Sequence, residues 1–137
     1  MAGIAVVGTL LVDKLNEISS YPQSGELTQI KGVSMATGGL VPNVAIDLKI
    51  MDKDLSVKGV GKIGADADGA FIKANLEKYG VDTEHITTSA KGTSFTDVMS
   101  VAGGQRTFFT YAGANADFGA DDVALDSLDV ELFHLGY

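Results

Sequence analysis

The chain has 137 residues and no cysteine, which excludes disulfides and thiol catalysis. No apolar run approaches the roughly 20 residues a helix needs to cross a bilayer, so no membrane partner is expected. The start, Met1-Ala2-Gly3-Ile4, has no basic region followed by a signal-type apolar stretch. A basic patch is missing too. Ten Lys and Arg face 18 Asp and Glu, a formal charge of −8, and the basic residues are scattered. Such a surface repels nucleic acid and anionic lipid, so no nucleic-acid partner is expected. The lack of cysteine fits a cytoplasmic, reducing compartment. There is no G-x-x-x-x-G-K-[ST] phosphate loop and no G-x-S-x-G elbow. His85 and His134 stand apart without a zinc-type partner spacing, and no nucleophile and base form a recognisable pair. No metal site is expected.

What remains is an ordinary globular composition, 45% hydrophobic and 20% charged, long enough for one domain with a core. Ile4-Ala5-Val6-Val7-Gly8 reads as a strand buried on both faces, the kind found in parallel sheets. Tyr21-Pro22-Gln23-Ser24-Gly25 signals a turn, and Leu27 to Thr37 alternates imperfectly, as a half-exposed strand does. From Pro42 to Met51, Val44, Leu48 and Met51 fall on one stripe of an amphipathic helix, with Pro42 suited to its first turn. Val57 to Ile63 is the next strand. Asp66 or Asp68 caps a second helix whose buried face is Phe71, Ile72, Leu76 and Tyr79 and whose stop is Gly80. Thr93 to Val101 and Arg106 to Tyr111 flank Ala102-Gly103-Gly104-Gln105 as a hairpin. Leu132 to Tyr137 is again strand-like. Alternating strands and helices predict an α/β fold with a mostly parallel sheet. The polar strand pairs at 14–37 and 93–111 belong in a separate small sheet.

Several patterns invite chemistry. Gly59-Val60-Gly61-Lys62-Ile63-Gly64 matches G-x-G-x-x-G, but its glycines fall inside a strand rather than in the turn after one, so ordinary strand or turn glycines are the better reading than a dinucleotide fingerprint. Gly64-Ala65-Asp66-Ala67-Asp68-Gly69 resembles part of a calcium loop, yet Gly64 and Asn75 occupy the two end-ligand positions, and helix capping accounts for it better. Asp13 follows a strand ending at Gly8, which places a carboxylate at the carboxyl edge of the sheet, where α/β proteins bind ligands; an exposed loop aspartate is the alternative. Gly38-Gly39 followed by Asn43 at a helix start permits close backbone approach and offers N–H donors; a plain turn is the alternative.

The order of these elements resembles the PfkB-type carbohydrate kinases, the family of ribokinases and fructokinases. Ile4 to Asp13 is similar to the family's first strand and substrate aspartate. Gly38-Gly39-Leu40-Val41-Pro42-Asn43-Val44-Ala45 resembles its di-glycine and Asn motif, and Gly61 to Gly69 its G-x-x-G-x-D-x-x-G segment. Tyr79-Gly80-Val81-Asp82-Thr83 is similar to its GVDT turn, and Arg106 to Asn115 to its lid-returning strand with a GAN end. Val41 in place of a small residue, and Met51-Asp52 in place of Leu-Gly, mark a divergent member.

The resemblance implies a ribokinase-like three-layer α/β/α fold with a small β lid. It implies substrate contacts from Asp13, Gly38, Gly39 and Asn43, with Arg106 reaching from the lid hairpin. It implies a sugar or related polyol as substrate, and ATP and Mg²⁺ as cofactors of an ATP-dependent sugar kinase parent. It also implies a homodimer formed through the lid. The family's catalytic aspartate lies in a GAGD motif, and Gly-Ala-Gly-Asp occurs nowhere in the chain. Residues 1–137 therefore read as the N-terminal portion alone, with the ATP-binding, catalytic half absent, no catalytic residue in hand, no cofactor expected to be bound, and no activity expected in isolation. The alternative is a stand-alone sugar-binding or dimerisation module.

Overall fold

Every residue from Ile4 to Val7 is apolar, and the strand they form is covered on both faces. The computed structural model describes residues 3–136; Met1, Ala2 and Tyr137, the last of which ends the expected C-terminal strand, lie outside them. Strand β1 (Gly3–Val7) runs parallel to β4 (Ser56–Gly64) on one side and to β8 (Leu132–Leu135) on the other. Strand β5 (Ile86–Ser89) adds to β4, giving a parallel sheet ordered β5-β4-β1-β8.

A second sheet is separate from the first, as the polar strand pairs predict. Its order is β3-β2-β6-β7, built from β2 (Leu11–Ile18), β3 (Ile30–Gly38), β6 (Phe95–Val101) and β7 (Arg106–Tyr111). Strands β2 and β6 are parallel; the outer pairs are antiparallel. Leu11 pairs with Gly38 and Phe95 with Tyr111, so all four strands have their roots together, next to the carboxyl end of β1. This is the sheet expected to form a lid, and it carries that label below. Tyr21 in the link between β2 and β3 hydrogen-bonds at 2.8 Å to the carbonyl oxygens of Met99 and Gln105, tying that link to the lid's far end.

The period-2 alternation of β1 and β4 divides the core between the two faces of the parallel sheet. Val6, Val57 and Ile63 face α1 (Leu40–Met51) and α2 (Ala67–Lys78), where they pack with Val41, Ala45, Ile72 and Leu76. Ala5, Val7 and Val60 face the other way, onto Leu128 of the short α3 (Leu125–Leu128) and onto Phe118, Val123 and Val130. The second helical layer is thus represented here by α3 and two 3-10 turns, Gly113–Asp117 and Ala120–Asp122.

Two expected faces are displaced. In α1 the buried stripe is Val41, Pro42 and Ala45, with Val44 and Leu48 half-buried and Met51 82% exposed. Nearly the whole helix is apolar, so periodicity alone does not choose the stripe. In α2, Ile72 and Leu76 are buried, but Tyr79 has left the helix as its C-cap and is exposed. Gly80 stops the helix as expected, with φ +82° and its N–H on the carbonyl of Glu77. Segment 81–85 makes a single bridge, Asp82 to Lys58.

Because Leu76 is fully buried between the helix layer and the sheet, Leu76→Ala should lower unfolding free energy by about 2–5 kcal/mol. Urea denaturation followed by circular dichroism measures this.

Candidate functional site

The site begins where β1 ends. The N–H of Leu10 is held by the Asn115 side chain at 3.1 Å, and that of Val12 by the carbonyl of Ser94. With both ends of the turn fixed, β2 starts at once, so Asp13 lies in a lid strand rather than in a loop after β1. Its strand partners are Ala36 and Thr96, and Thr96 in turn pairs with Thr110. Paired residues share a face, so the Asp13 carboxylate stands in a row of small side chains. Leu11 and Leu15 flank it along the strand on the same face.

Asp13 has no hydrogen-bond or ion-pair partner among the described residues. It is half-buried, and desolvation raises its pKa above the ordinary 3.8. Gly38 is what makes room for it: a Cβ there would sit 2.6 Å from Asp13 Oδ2 and 2.9 Å from Leu11 Cδ1. The absent side chain at Gly38 is a packing requirement of the carboxylate.

Gly39 is required for its backbone. Its φ is +89°, and a Cβ would meet the carbonyl oxygen of Thr9 at 2.7 Å. The helix N-terminus it opens is less available than the sequence suggests. Leu40 N–H goes to Thr9 Oγ1 and Val41 N–H to the Thr9 carbonyl, both at 3.0 Å, while Pro42 has none and Asn43 N–H bonds the Gly39 carbonyl at 3.3 Å. Local groups therefore take the first-turn donors, and the Asn43 side chain, exposed and without a hydrogen bond among the described residues, is the polar group α1 presents.

Gly39 and Asn43 line one open hollow of about 580 Å³ with Thr9, Leu11, Leu40 and Val44. Asp13 does not line that hollow; it joins the set through Gly38 and Leu11. Arg106 is not brought to this group. It pairs with Ser100 at the far end of the lid, whereas Asp13 pairs with Thr96; at about 3.3 Å per residue the two rows are roughly 13 Å apart. Arg106 lines a different open hollow, with Leu15, Glu17 and Gly32.

Other residues matter that the sequence reading passed over or valued only in part. Asp66 caps α2 by accepting from Gly69 N–H at 2.9 Å, and the same carboxylate accepts from Thr93 N–H at 2.8 Å and Thr93 Oγ1 at 2.5 Å. Thr93 Oγ1 accepts from Gly64 N–H at 2.9 Å. One chain of hydrogen bonds thus joins the end of β4, the start of α2 and the root of β6. Burial pushes the Asp66 pKa up, but the Thr93 and Gly69 hydrogen bonds and the Lys14 ammonium together hold it below 3.8. Ser94 and Asn115 make a second staple, with Asn115 N–H on Ser94 Oγ and the Ser94 hydroxyl on the carbonyl of Ala112. The sequence signals were present in the Asp66 cap and in Gly113-Ala114-Asn115; what they bind lies far along the chain.

The G-x-G-x-x-G glycines lie within β4, where a Cβ on Gly61 would strike Leu10 and one on Gly64 would strike Thr93 N, so they serve packing. Among the described residues no group of three or more His, Asp or Glu is placed to hold a metal ion.

Residues 1–135 match the pfkB family carbohydrate kinases. The chain is 30% identical over 122 residues to a ribokinase of Staphylococcus aureus, covering 88% of this chain and 40% of that one. A ribokinase structure from Thermotoga maritima superposes with a TM-score of 0.84 at 21% identity, covering 93% of this chain and 42% of that one, a likeness of fold. The structure of Arabidopsis thaliana ribokinase complexed with ribose and ATP gives a TM-score of 0.73 at 29% identity, over 84% and 38%. The chain spans about two fifths of the length of the curated relatives it matches.

The two perturbed carboxylates have opposite linkage. Asp66, with a lowered folded pKa, contributes stability above pH 3.8 that is lost as pH falls through its folded value. Asp13, with a raised folded pKa, destabilises the fold at neutral pH, and that penalty fades as pH falls toward 3.8. Asp13→Asn should therefore raise the thermal midpoint at pH 7, with the gain shrinking in acid. Thr93 is buried, so Thr93→Val leaves the Gly64 N–H without its acceptor and should lower stability by about 1–3 kcal/mol. Calorimetric unfolding across pH 3 to 7 reads both.

Proposed function

The chain belongs to the pfkB family of carbohydrate kinases, and on that footing we propose that it is the sugar-holding part of an ATP-dependent kinase that phosphorylates a sugar hydroxyl. The observation that carries this is Asp13, a desolvated carboxylate without a partner among the described residues, set against Gly38 beside the hollow of Gly39 and Asn43. A carboxylate accepts hydrogen bonds from two neighbouring hydroxyls at once, and a low-dielectric wall strengthens them. Asn43 adds a donor and an acceptor, while Gly38 and Gly39 leave room for the Asp13 carboxylate and the Thr9 carbonyl. The lid stands over the carboxyl edge of the sheet, where closing on a bound sugar excludes the water that competes as acceptor.

ATP and Mg²⁺ belong to this reading as the parent's cofactors, with the residues that hold them and the catalytic base in a C-terminal half. Among the described residues no group of three or more His, Asp or Glu could hold a metal ion, and Gly-Ala-Gly-Asp does not occur in the sequence.

The second reading, a module that binds sugar or dimerises without catalysis, is favoured by the apolar lid surface. Val33 is 76% exposed and Phe109 59%, and both stand on the lid face opposite Asp13. A homodimer through the lid would cover them. Sedimentation of the wild-type chain should then give twice the monomer mass, and Phe109→Asp should return it to the monomer.

Calorimetric titration of the chain with D-ribose and a panel of other sugars tests the main reading. Uptake of at least one sugar is expected, weakened roughly ten- to a hundredfold by Asp13→Ala, the loss of a charged hydrogen-bonding partner. Equal heats for wild type and variant would overturn it. A coupled ADP-release assay on the full-length parent, with the same panel, tests the transfer.

A further inference from the structure

Helix α2 grips the lid at more than the Asp66–Thr93 clasp. Lys14 Nζ lies 2.8 Å from Asp68 Oδ2 and 4.4 Å from the centroid of the Phe95 ring, so the ammonium is held from two sides. Asn75 Nδ2 donates to Thr37 Oγ1 at 2.8 Å. Asp68 and Asn75 are two turns apart on one stripe of α2, with Phe71 between them. Their targets are adjacent to the substrate carboxylate in register. Lys14 follows Asp13 in β2, and Thr37 follows Ala36, the partner of Asp13, in β3. Since successive side chains point to opposite faces, Lys14 and Thr37 lie on the outer face of the lid and Asp13 on the inner one. A rotation of β2 that shifts Lys14 relative to α2 also reorients Asp13, its neighbour on the opposite face.

We propose that Asp68 and Asn75 are positioning residues, which hold the outer face of the lid against α2 and so set the angle at which Asp13 meets a polyol. This rests on the reading of Asp13 as the sugar-holding group. A half-exposed ion pair adds little to global stability; Lys14 and Asp68 side chains are 35% and 21% exposed. The contact therefore acts on lid geometry far more than on folding.

The experiment compares wild type, Asp68→Ala, Asn75→Ala, the double variant and Asp68→Glu. Amide hydrogen exchange is read over residues 11–18 and 30–38, with β1 and β4 as internal reference, alongside the thermal midpoint and D-ribose affinity by calorimetry. Each alanine variant should exchange roughly two- to fivefold faster in the lid, the double variant more, while the reference strands and the midpoint stay unchanged. Ribose affinity should fall by a similar factor, and Asp68→Glu should restore both. Lid exchange unchanged in the double variant overturns the proposal, as does a loss of affinity with lid exchange unaltered or only in step with a lowered midpoint. If the wild-type chain takes up no ribose or other sugar, the sugar-holding reading fails, and lid exchange still decides whether α2 holds the lid.

Discussion

The hydroxyl of Thr93 accepts from Gly64 and donates to Asp66, and through that one side chain the parallel sheet, the helix layer and the lid meet. It fixes the root of β6 relative to β4, alongside the Ser94–Asn115 staple and the Leu10–Asn115 tie, which hold the start of β2 as well. The lid has little of its own to hold it: its outer strands are edges, and many of its side chains are exposed. A sheet of this kind owes its position to polar contacts at its roots, made in the same small volume where Leu10 is tied to Asn115 and Leu40 to Thr9. These contacts are local in space and distant in sequence, so the site forms only when the fold does.

That separation explains what the sequence discloses. The buried strands β1 and β4, the hairpin of β6 and β7, and the stop at Gly80 are legible because each rests on neighbouring residues. An apolar run, a pair of glycines between β-rich segments, or a glycine after a helical stripe is a local fact. Strand β5, only Ile86–Ser89, carries too few residues for any period to show. The stripe of α1 is misjudged for the opposite reason, an excess of signal: with Leu40, Val41, Val44, Ile46, Leu48, Ile50 and Met51 all apolar, only packing against β4 decides which are covered.

At the site, residue types were legible and their circumstances were not. Asp13 stood out as a carboxylate near a sheet edge, but just ahead of the strands expected from residue 14, because a lid with both faces partly wet has no clean alternation to mark where its strand begins. The di-glycine was legible as a close approach. That one glycine admits a carboxylate and the other a carbonyl requires coordinates. Arg106 was attached to the site by its place in a motif, and motif order does not give distance along a strand.

The charges of β2 also bear on how its register is chosen. Asp13 and Lys14 are neighbours in sequence, yet one has no partner among the described residues on the inner face and the other is paired to Asp68 on the outer. A slip of one residue would reverse them. Lys14 would then occupy the inner face, and Asp13 would stand against Asp68, two like charges near the start of α2. Val12 would leave the core, where it is fully buried. Electrostatics and burial thus select the same register, the one that leaves a carboxylate free on the inner face of the lid. That Asp13 has no partner among the described residues follows from where Lys14 is held, and the strand's alternation keeps a cation one residue away from neutralising the group proposed to meet a sugar.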